Sequence, residues 1–222
     1  MNDKGKWYEY FEHDKIVWLH NGDSNMPHVV LRSGLHSGGY FNSSSVTGTP
    51  WILMSVVNDL LVRLKNAGLR LSDLHYVIGP AMGAITLAYE LARQCSTQFH
   101  RVGTAYAEKC SRGGEPAMRF PRHCIPESAG VLVAEDTITT GGSVLHVFEA
   151  LRKMGIEPMP MVVTILNRSG KQALSERGPS IISLIDEYMP TWTPAECPLC
   201  KAGSLALKEP KTTRDWDRLI GK

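Results

Sequence analysis

Val131-Leu132-Val133-Ala134-Glu135-Asp136-Thr137-Ile138-Thr139-Thr140-Gly141-Gly142-Ser143 decides how this chain folds. The apolar residues that open it do not alternate with polar ones, so they predict a strand covered on both faces, as in the middle of a parallel sheet. After the loop, Val144, Val147, Phe148, Leu151 and Met154 recur at helical spacing, with Arg152 and Lys153 in the last turn and Gly155 placed to cap it. A strand that opens through glycines and small hydroxyl residues into a helix aims the helix's free amides and positive dipole end into the loop. A phosphate monoester fits there. Glu135 and Asp136 emerge at the carboxyl end of the strand, where open parallel sheets bind ligands, and paired carboxylates beside a phosphate cradle suit a sugar diol. The expected ligand is a sugar phosphate; the alternative is a plain strand-turn-helix whose acidic pair merely caps the helix. No GxxxxGK(S/T) run occurs and no strand is followed by GxGxxG, so neither a Walker nucleotidase nor a dinucleotide-binding domain is supported.

Outward from that run, strands and helices alternate, which predicts an α/β fold with a parallel sheet and crossover helices. Thr49 and Pro50 read as N-cap and first position of a helix carrying Leu53, Val57, Leu60, Leu61 and Leu64 and closed by Gly68. His75 to Pro80 reads as strand, Gly83 to Gln94 as helix, Val102 to Ala107 as strand, and Met161 to Leu166 and Ile181 to Ile185 as further strands, giving about five parallel strands. Before them, Trp7, Tyr8, Tyr10, Phe11 and Trp18 suggest a helix, running to about His20, that packs on the main body or on a partner subunit. Asn21-Gly22-Asp23 breaks the chain, and Val29 to Gly34 begins a strand and turn. Tyr188 to Lys222, rich in proline and charge, reads as a surface-wrapping tail with a short helix near Trp216. The expected organisation is an N-terminal helix and hood over 1–48, a ligand-binding α/β core over 49–187 and a C-terminal tail over 188–222.

With 222 residues, 43% hydrophobic and 21% charged, the chain can bury one good-sized core, alone or with a small subdomain. Its 24 basic and 22 acidic residues leave a formal charge of +2 with no basic block, so neither nucleic acid nor an anionic membrane is an expected partner. The N-terminal residues form no apolar core of the kind a signal peptide or membrane span needs, and a cytoplasmic, soluble protein is expected. Five cysteines give no disulfide framework in a chain of this size. Cys197-Pro198-Leu199-Cys200 has the spacing of half a structural zinc site or of a redox pair, but no second CxxC and no neighbouring histidine completes it. A structural or incidental role is therefore expected for this pair, unless two subunits share an ion.

The run 131–143 resembles the phosphoribosyl pyrophosphate (PRPP) motif of the type I phosphoribosyltransferases. The resemblance implies that Glu135 and Asp136 contact the ribose 2- and 3-hydroxyls and that Thr137, Ile138, Thr139, Thr140, Gly141, Gly142 and Ser143 hold the 5-phosphate. Four further segments are similar to the orotate branch of that family, so the likeness extends to roughly residue 170. In Leu31 to Asn42 it implies a PRPP contact for Arg32, where lysine is usual, and positions beside the base for Tyr40 and Phe41; an aromatic wall suits a flat pyrimidine and a cation suits a phosphate. Ile78 to Ala84 is similar to the family's pyrophosphate loop, which implies PRPP contacts for Pro80, Ala81, Met82 and Gly83 at a helix start. Tyr106-Ala107-Glu108-Lys109 and the following Cys110 to Arg122 resemble the segment that supplies a catalytic cation, here Lys109, and a mobile loop closing over PRPP, often in a neighbouring subunit. The further lysine and histidine of that loop are not evident here, and Arg112 or Arg119 would have to replace them; the alternative for these arginines is an exposed hairpin with solvated charges. Asn167-Arg168 matches the position whose arginine pairs with the orotate carboxylate, a bidentate contact that a guanidinium makes well; Thr139 joins it beside the base.

What the resemblance implies is therefore Mg-dependent transfer of 5-phosphoribosyl from PRPP to orotate in a homodimer, with magnesium held mainly by PRPP rather than by a protein cage. The catalytic residues would be Lys109, Glu135 and Asp136. Two other readings stand beside it: a phosphoribosyltransferase for a purine or another base, and a PRPP-sensing regulator that kept the fold without the chemistry.

Overall fold

The computed structural model describes residues 5–208 and 213–220. In chain order the elements are α1 (Gly5–His13), β1 (Val17–Leu19), β2 (His28–Val30), β3 (His36–Ser37), β4 (Gly39–Phe41), α2 (Ser43–Thr47), α3 (Pro50–Asn66), β5 (Tyr76–Pro80), α4 (Ile85–Cys95), β6 (Gly103–Arg112), β7 (Glu115–Arg119), β8 (Val131–Ile138), α5 (Gly142–Lys153), β9 (Met161–Asn167), β10 (Ser180–Asp186), β11 (Thr191–Trp192), α6 (Pro198–Lys201), β12 (Ala206–Lys208) and α7 (Thr213–Leu219). They fall into two compact units: residues 43–186 form one, and residues 1–42 together with 187–222 form the other.

The larger unit is built on a six-stranded sheet of order β10-β9-β8-β5-β6-β7. The first five strands are parallel, as the sequence predicts, and the sixth, β7, lies antiparallel on β6. Strand β8 is internal, between β9 and β5, which is why its apolar residues run without a break. Val131 and Val133 join Ile78, Val147, Phe148 and Leu151 in one core, while Leu132 and Ala134, facing the other side, are equally buried. Helix α3 starts at Pro50 as expected, although the Thr49 side chain makes no cap hydrogen bond, and Arg63 Nη1 donates to Ser183 O at 2.6 Å, tying α3 to β10.

One element differs from the sequence reading. Strand β6 does not stop at Ala107 but continues to Arg112 and returns as β7, so that the segment expected as a mobile loop is a β-hairpin. Gly113 and Gly114, at φ +61° and +89°, make the two-residue connection that only residues free of a Cβ penalty adopt readily. The hairpin carries mostly polar side chains, so no apolar periodicity marks it as strand.

The smaller unit corrects two expectations. The N-terminal helix ends at His13 rather than near His20, and the chain turns through Lys15, at φ 56°, into β1, which pairs with β4. Residues beyond Tyr188 do not simply wrap a surface: β11 pairs with β3, β12 pairs with β2, and together they form a sheet of order β11-β3-β2-β12. Trp216 and Leu219 of α7 share a small core with Trp18 and Val29. Strands of two or three residues are too short to show a period, and proline and charge dominated the reading of this segment.

Candidate functional site

The loop after β8 is a concave cradle of about 100 Å³ lined by Glu135 and by Thr137 through Val144. Gly141, at φ +84°, caps α5 in the left-handed region, and a Cβ there would overlap Leu174 Cδ2. Glycine is therefore required on two counts. The first amides of α5 have no carbonyl within the helix to bond; Gly142 N donates to Thr140 Oγ1 at 3.5 Å, and Ser143 and Val144 line the cradle with Thr137, Thr139 and Thr140.

Glu135 lines the cradle, and Asp136 is the next residue of β8. Glu135 is only 8% exposed; burial pushes its carboxyl well above the usual carboxylate range, Asp136 beside it pushes the same way, and the Lys109 ammonium acts in the opposite direction. The turn after β5 closes on the same pair, because a Cβ on Gly83 would lie 2.8 Å from Asp136 Oδ2. Ala81 N donates to Ala107 O at 2.8 Å, and the Ala81-Met82 peptide is cis. Pro80, Ala81, Met82 and Gly83 thus form a tight turn against the acidic pair, and α4 begins just beyond it at Ile85.

Arg168 follows β9, and its backbone N donates to Ile138 O at 2.9 Å, which holds it beside the cradle loop. It is 4% exposed, and burial brings its guanidinium down to about 10, still protonated at neutral pH. Asn167 fixes the turn that carries it, donating to Asp186 Oδ1 at 2.8 Å and to Lys171 O at 2.7 Å. Lys109 is exposed on β6, opposite Met118. Arg112 and Arg119 line a pocket between the hairpin and α5 with His146, Glu149 and Lys153. The larger unit therefore gathers the cradle, the acidic pair, the Pro80 to Gly83 turn and Arg168.

Arg32, Tyr40 and Phe41 belong to the smaller unit. Arg32 is exposed on the turn between β2 and β3 and lines a groove with Lys208, Asp215 and Arg218. Tyr40 and Phe41 are successive strand residues and so face opposite sides of β4. Phe41 is buried against Phe11, ring centroids 5.7 Å apart, whereas Tyr40 is half-buried with its ring edge-on to Trp216. A single aromatic wall cannot use both.

The expectation that no histidine accompanies Cys197 and Cys200 is overturned. His28 and His36 meet both cysteines inside the smaller unit, with Cys200 Sγ 3.2 Å from His36 Nδ1 and 3.4 Å from His28 Nε2. The partners are 164 and 172 positions apart in sequence, a separation that no local spacing rule spans.

Residues 55–189 match a family model described as phosphoribosyl transferase domain. The orotate phosphoribosyltransferase of Caldicellulosiruptor bescii is 35% identical over 177 residues, 79% of this chain and 84% of that protein. The orotate phosphoribosyltransferase of Desulforamulus reducens is 34% identical over 181 residues, 82% of this chain and 86% of that protein. Among solved structures, orotate phosphoribosyltransferase from Aeropyrum pernix shares the fold with a TM-score of 0.59 at 23% identity, over 80% of this chain and 92% of that one.

Proposed function

The chain belongs to the phosphoribosyltransferase family, and from that premise we propose that it is an orotate phosphoribosyltransferase, a pentosyltransferase that moves 5-phosphoribosyl from PRPP to orotate and releases diphosphate and orotidine 5-phosphate, a step of pyrimidine (UMP) synthesis. The observation that carries the reading is the continuity of β8, cradle and α5, which sets two carboxylates one residue before an amide-lined anion pocket.

In the transfer the bond from C1 of the ribose to the diphosphate oxygen breaks, and a bond from C1 to a ring nitrogen of orotate forms. Positive charge develops at C1 and negative charge on the leaving group, as in other glycosyl transfers. The cradle amides and hydroxyls grip the 5-phosphate, and Glu135 and Asp136 accept hydrogen bonds from the vicinal hydroxyls, which fixes the ribose relative to the leaving group. The amides of Met82 and Gly83, in the turn that precedes α4, receive the diphosphate. Lys109 supplies preorganised positive charge. Arg168 pairs with the orotate carboxylate, and Thr139 lies against the base. The donors at the cradle mouth are hard oxygens, which suits magnesium, but two carboxylates make no cage for it. Bound mainly through the donor's own oxygens, with Glu135 and Asp136 as the protein's carboxylates, that ion would neutralise charge on the leaving group.

A cytoplasmic homodimer is the proposed setting. No helix among the described residues is long and apolar enough to cross a membrane.

A spectrophotometric panel offering PRPP and magnesium with one base at a time tests the reading. Turnover with orotate that is lost in Arg168→Ala supports it. Turnover with a purine alone would move the assignment to another branch, and PRPP binding without turnover of any base would make the protein a sensor.

A further inference from the structure

We propose that His28, His36, Cys197 and Cys200 form a structural zinc site that closes the smaller unit. One ligand atom from each of the four lies within 4.8 Å of those of the others. The closest pairs are His28 Nε2 to His36 Nδ1 at 2.9 Å, Cys200 Sγ to His36 Nδ1 at 3.2 Å, Cys200 Sγ to His28 Nε2 at 3.4 Å and Cys197 Sγ to His28 Nε2 at 3.6 Å. Zinc bonds of about 2.0–2.1 Å to nitrogen and about 2.3 Å to sulfur set the edges of a tetrahedron at roughly 3.3–3.8 Å. These four separations lie within about 0.5 Å of such edges, and the remaining two are under 4.8 Å, so small shifts of the side chains complete the figure.

The surroundings orient the ligands. Ser204 Oγ donates its one proton to Met26 O at 2.6 Å, so at His28 Nδ1, 2.9 Å away, it accepts. The proton of His28 is thereby placed on Nδ1, and the lone pair of Nε2 faces the cluster, as in metal sites whose histidines are fixed by an outer hydrogen bond. Cys200 N donates to Cys197 Sγ at 3.5 Å across the first turn of α6, an amide directed at the sulfur that becomes a thiolate. His28, His36 and Cys197 are buried.

The donor set selects the metal. Two thiolates and two neutral imidazoles in a tetrahedron suit zinc, and four protein ligands leave no open position, the mark of a structural rather than a catalytic ion. Binding expels one proton from each thiol, and the charges of Zn²⁺ and two thiolates cancel, so a neutral group is buried. A redox pair would need the two sulfurs to bond to each other. The approach of both imidazoles to Cys200 instead places nitrogen ligands around the sulfurs.

Elemental analysis of the full-length, tag-free protein, purified without chelator, is expected to find close to one zinc per chain. Cys200→Ser is expected to lose most of it, and Cys124→Ser, which removes an exposed cysteine outside the cluster, to keep it. If Cys200→Ser does not fold, cobalt exchanged into the wild-type chain decides. Intense ligand-field bands of a tetrahedral ion with thiolate charge transfer support the site, and weak octahedral bands overturn it. Zinc far below one per chain even after incubation with zinc, or a Cys197-Cys200 disulfide in the freshly purified protein, would equally overturn it. None of these readouts depends on transferase activity.

Discussion

Glu135 occupies a position that opposes its own charge. Its folded-state carboxyl holds its proton to higher pH than in the unfolded chain, chiefly because it is buried and also because Asp136 adjoins it. The linkage is therefore unfavourable: as pH rises above the ordinary glutamate range of about 4.3, the unfolded chain gives up a proton that the fold retains, and stability falls. Glu135→Gln removes that burden. Its thermal midpoint should exceed that of the wild type at pH 8, by an amount worth about 0.5–2 kcal/mol, and the gap should shrink toward pH 4. PRPP turnover should nevertheless fall roughly 10- to 100-fold, because a carboxyl hydrogen-bond partner for the sugar is lost. An equal midpoint difference at both pH values would show that the carboxyl is not perturbed. Gly83 separates stability from function in another way. The three atoms nearest a Cβ there all belong to the Asp136 carboxylate, and the position is exposed without a positive φ, so Gly83→Ala should be within about 0.5 kcal/mol of the wild type in stability while its KM for PRPP rises. A KM that moves for orotate instead would place the displaced carboxylate away from the sugar. The acidic pair was legible because both acids sit in one short run, whereas the closeness of Gly83 to Asp136 depends on two strands lying side by side, which no residue count reveals.

Elements report differently. Strand β8 and helix α5 are legible in the sequence because each carries one pattern, an unbroken apolar run from Val131 to Ala134 for the internal strand and a period near 3.6 for the helix that covers it. The hairpin of β6 and β7 obeys neither, so a mobile loop and an exposed hairpin are both compatible with its sequence, and Gly113-Gly114 is the one local signal for the hairpin. At the junction of the two readable elements, Gly141 combines a left-handed backbone with a methyl-sized gap already filled by Leu174. Gly141→Ala should therefore cost about 2–3 kcal/mol, the sum of the conformational penalty and the overlap. It should also weaken ribose 5-phosphate binding, since the first turn of α5 must shift to admit the new carbon. Calorimetric melting and titration of the same variant check both. If stability falls and phosphate affinity does not, the amides of that turn are not the phosphate's ligands.

At the scale of the whole molecule, the strands and helices of the larger unit are legible in the sequence and those of the smaller unit are not, for a physical reason. Residues 43–186 are contiguous and built from long elements, whereas the smaller unit is assembled from the two ends of the chain by strands of two or three residues. One of its clusters holds only Trp18, Val29, Trp216 and Leu219, and a unit near 70–80 residues commonly needs a staple beyond its core. Four ligands drawn from both chain ends are such a staple, since metal bound only to the folded form stabilises it by mass action. Trp7, Trp18, Trp192 and Trp216 lie in this unit, and only Trp51 lies in the other, so tryptophan fluorescence reports chiefly on the smaller unit while far-ultraviolet circular dichroism weighs the larger one. With zinc bound, the two signals should melt close together. After dialysis against a strong zinc chelator, the fluorescence transition should move to lower temperature by several degrees, while the main dichroism transition stays where it was and still rises on addition of ribose 5-phosphate, whose cradle is in residues 135–144. Coincident transitions that the chelator leaves unmoved would show that the ends of the chain are held together by packing alone.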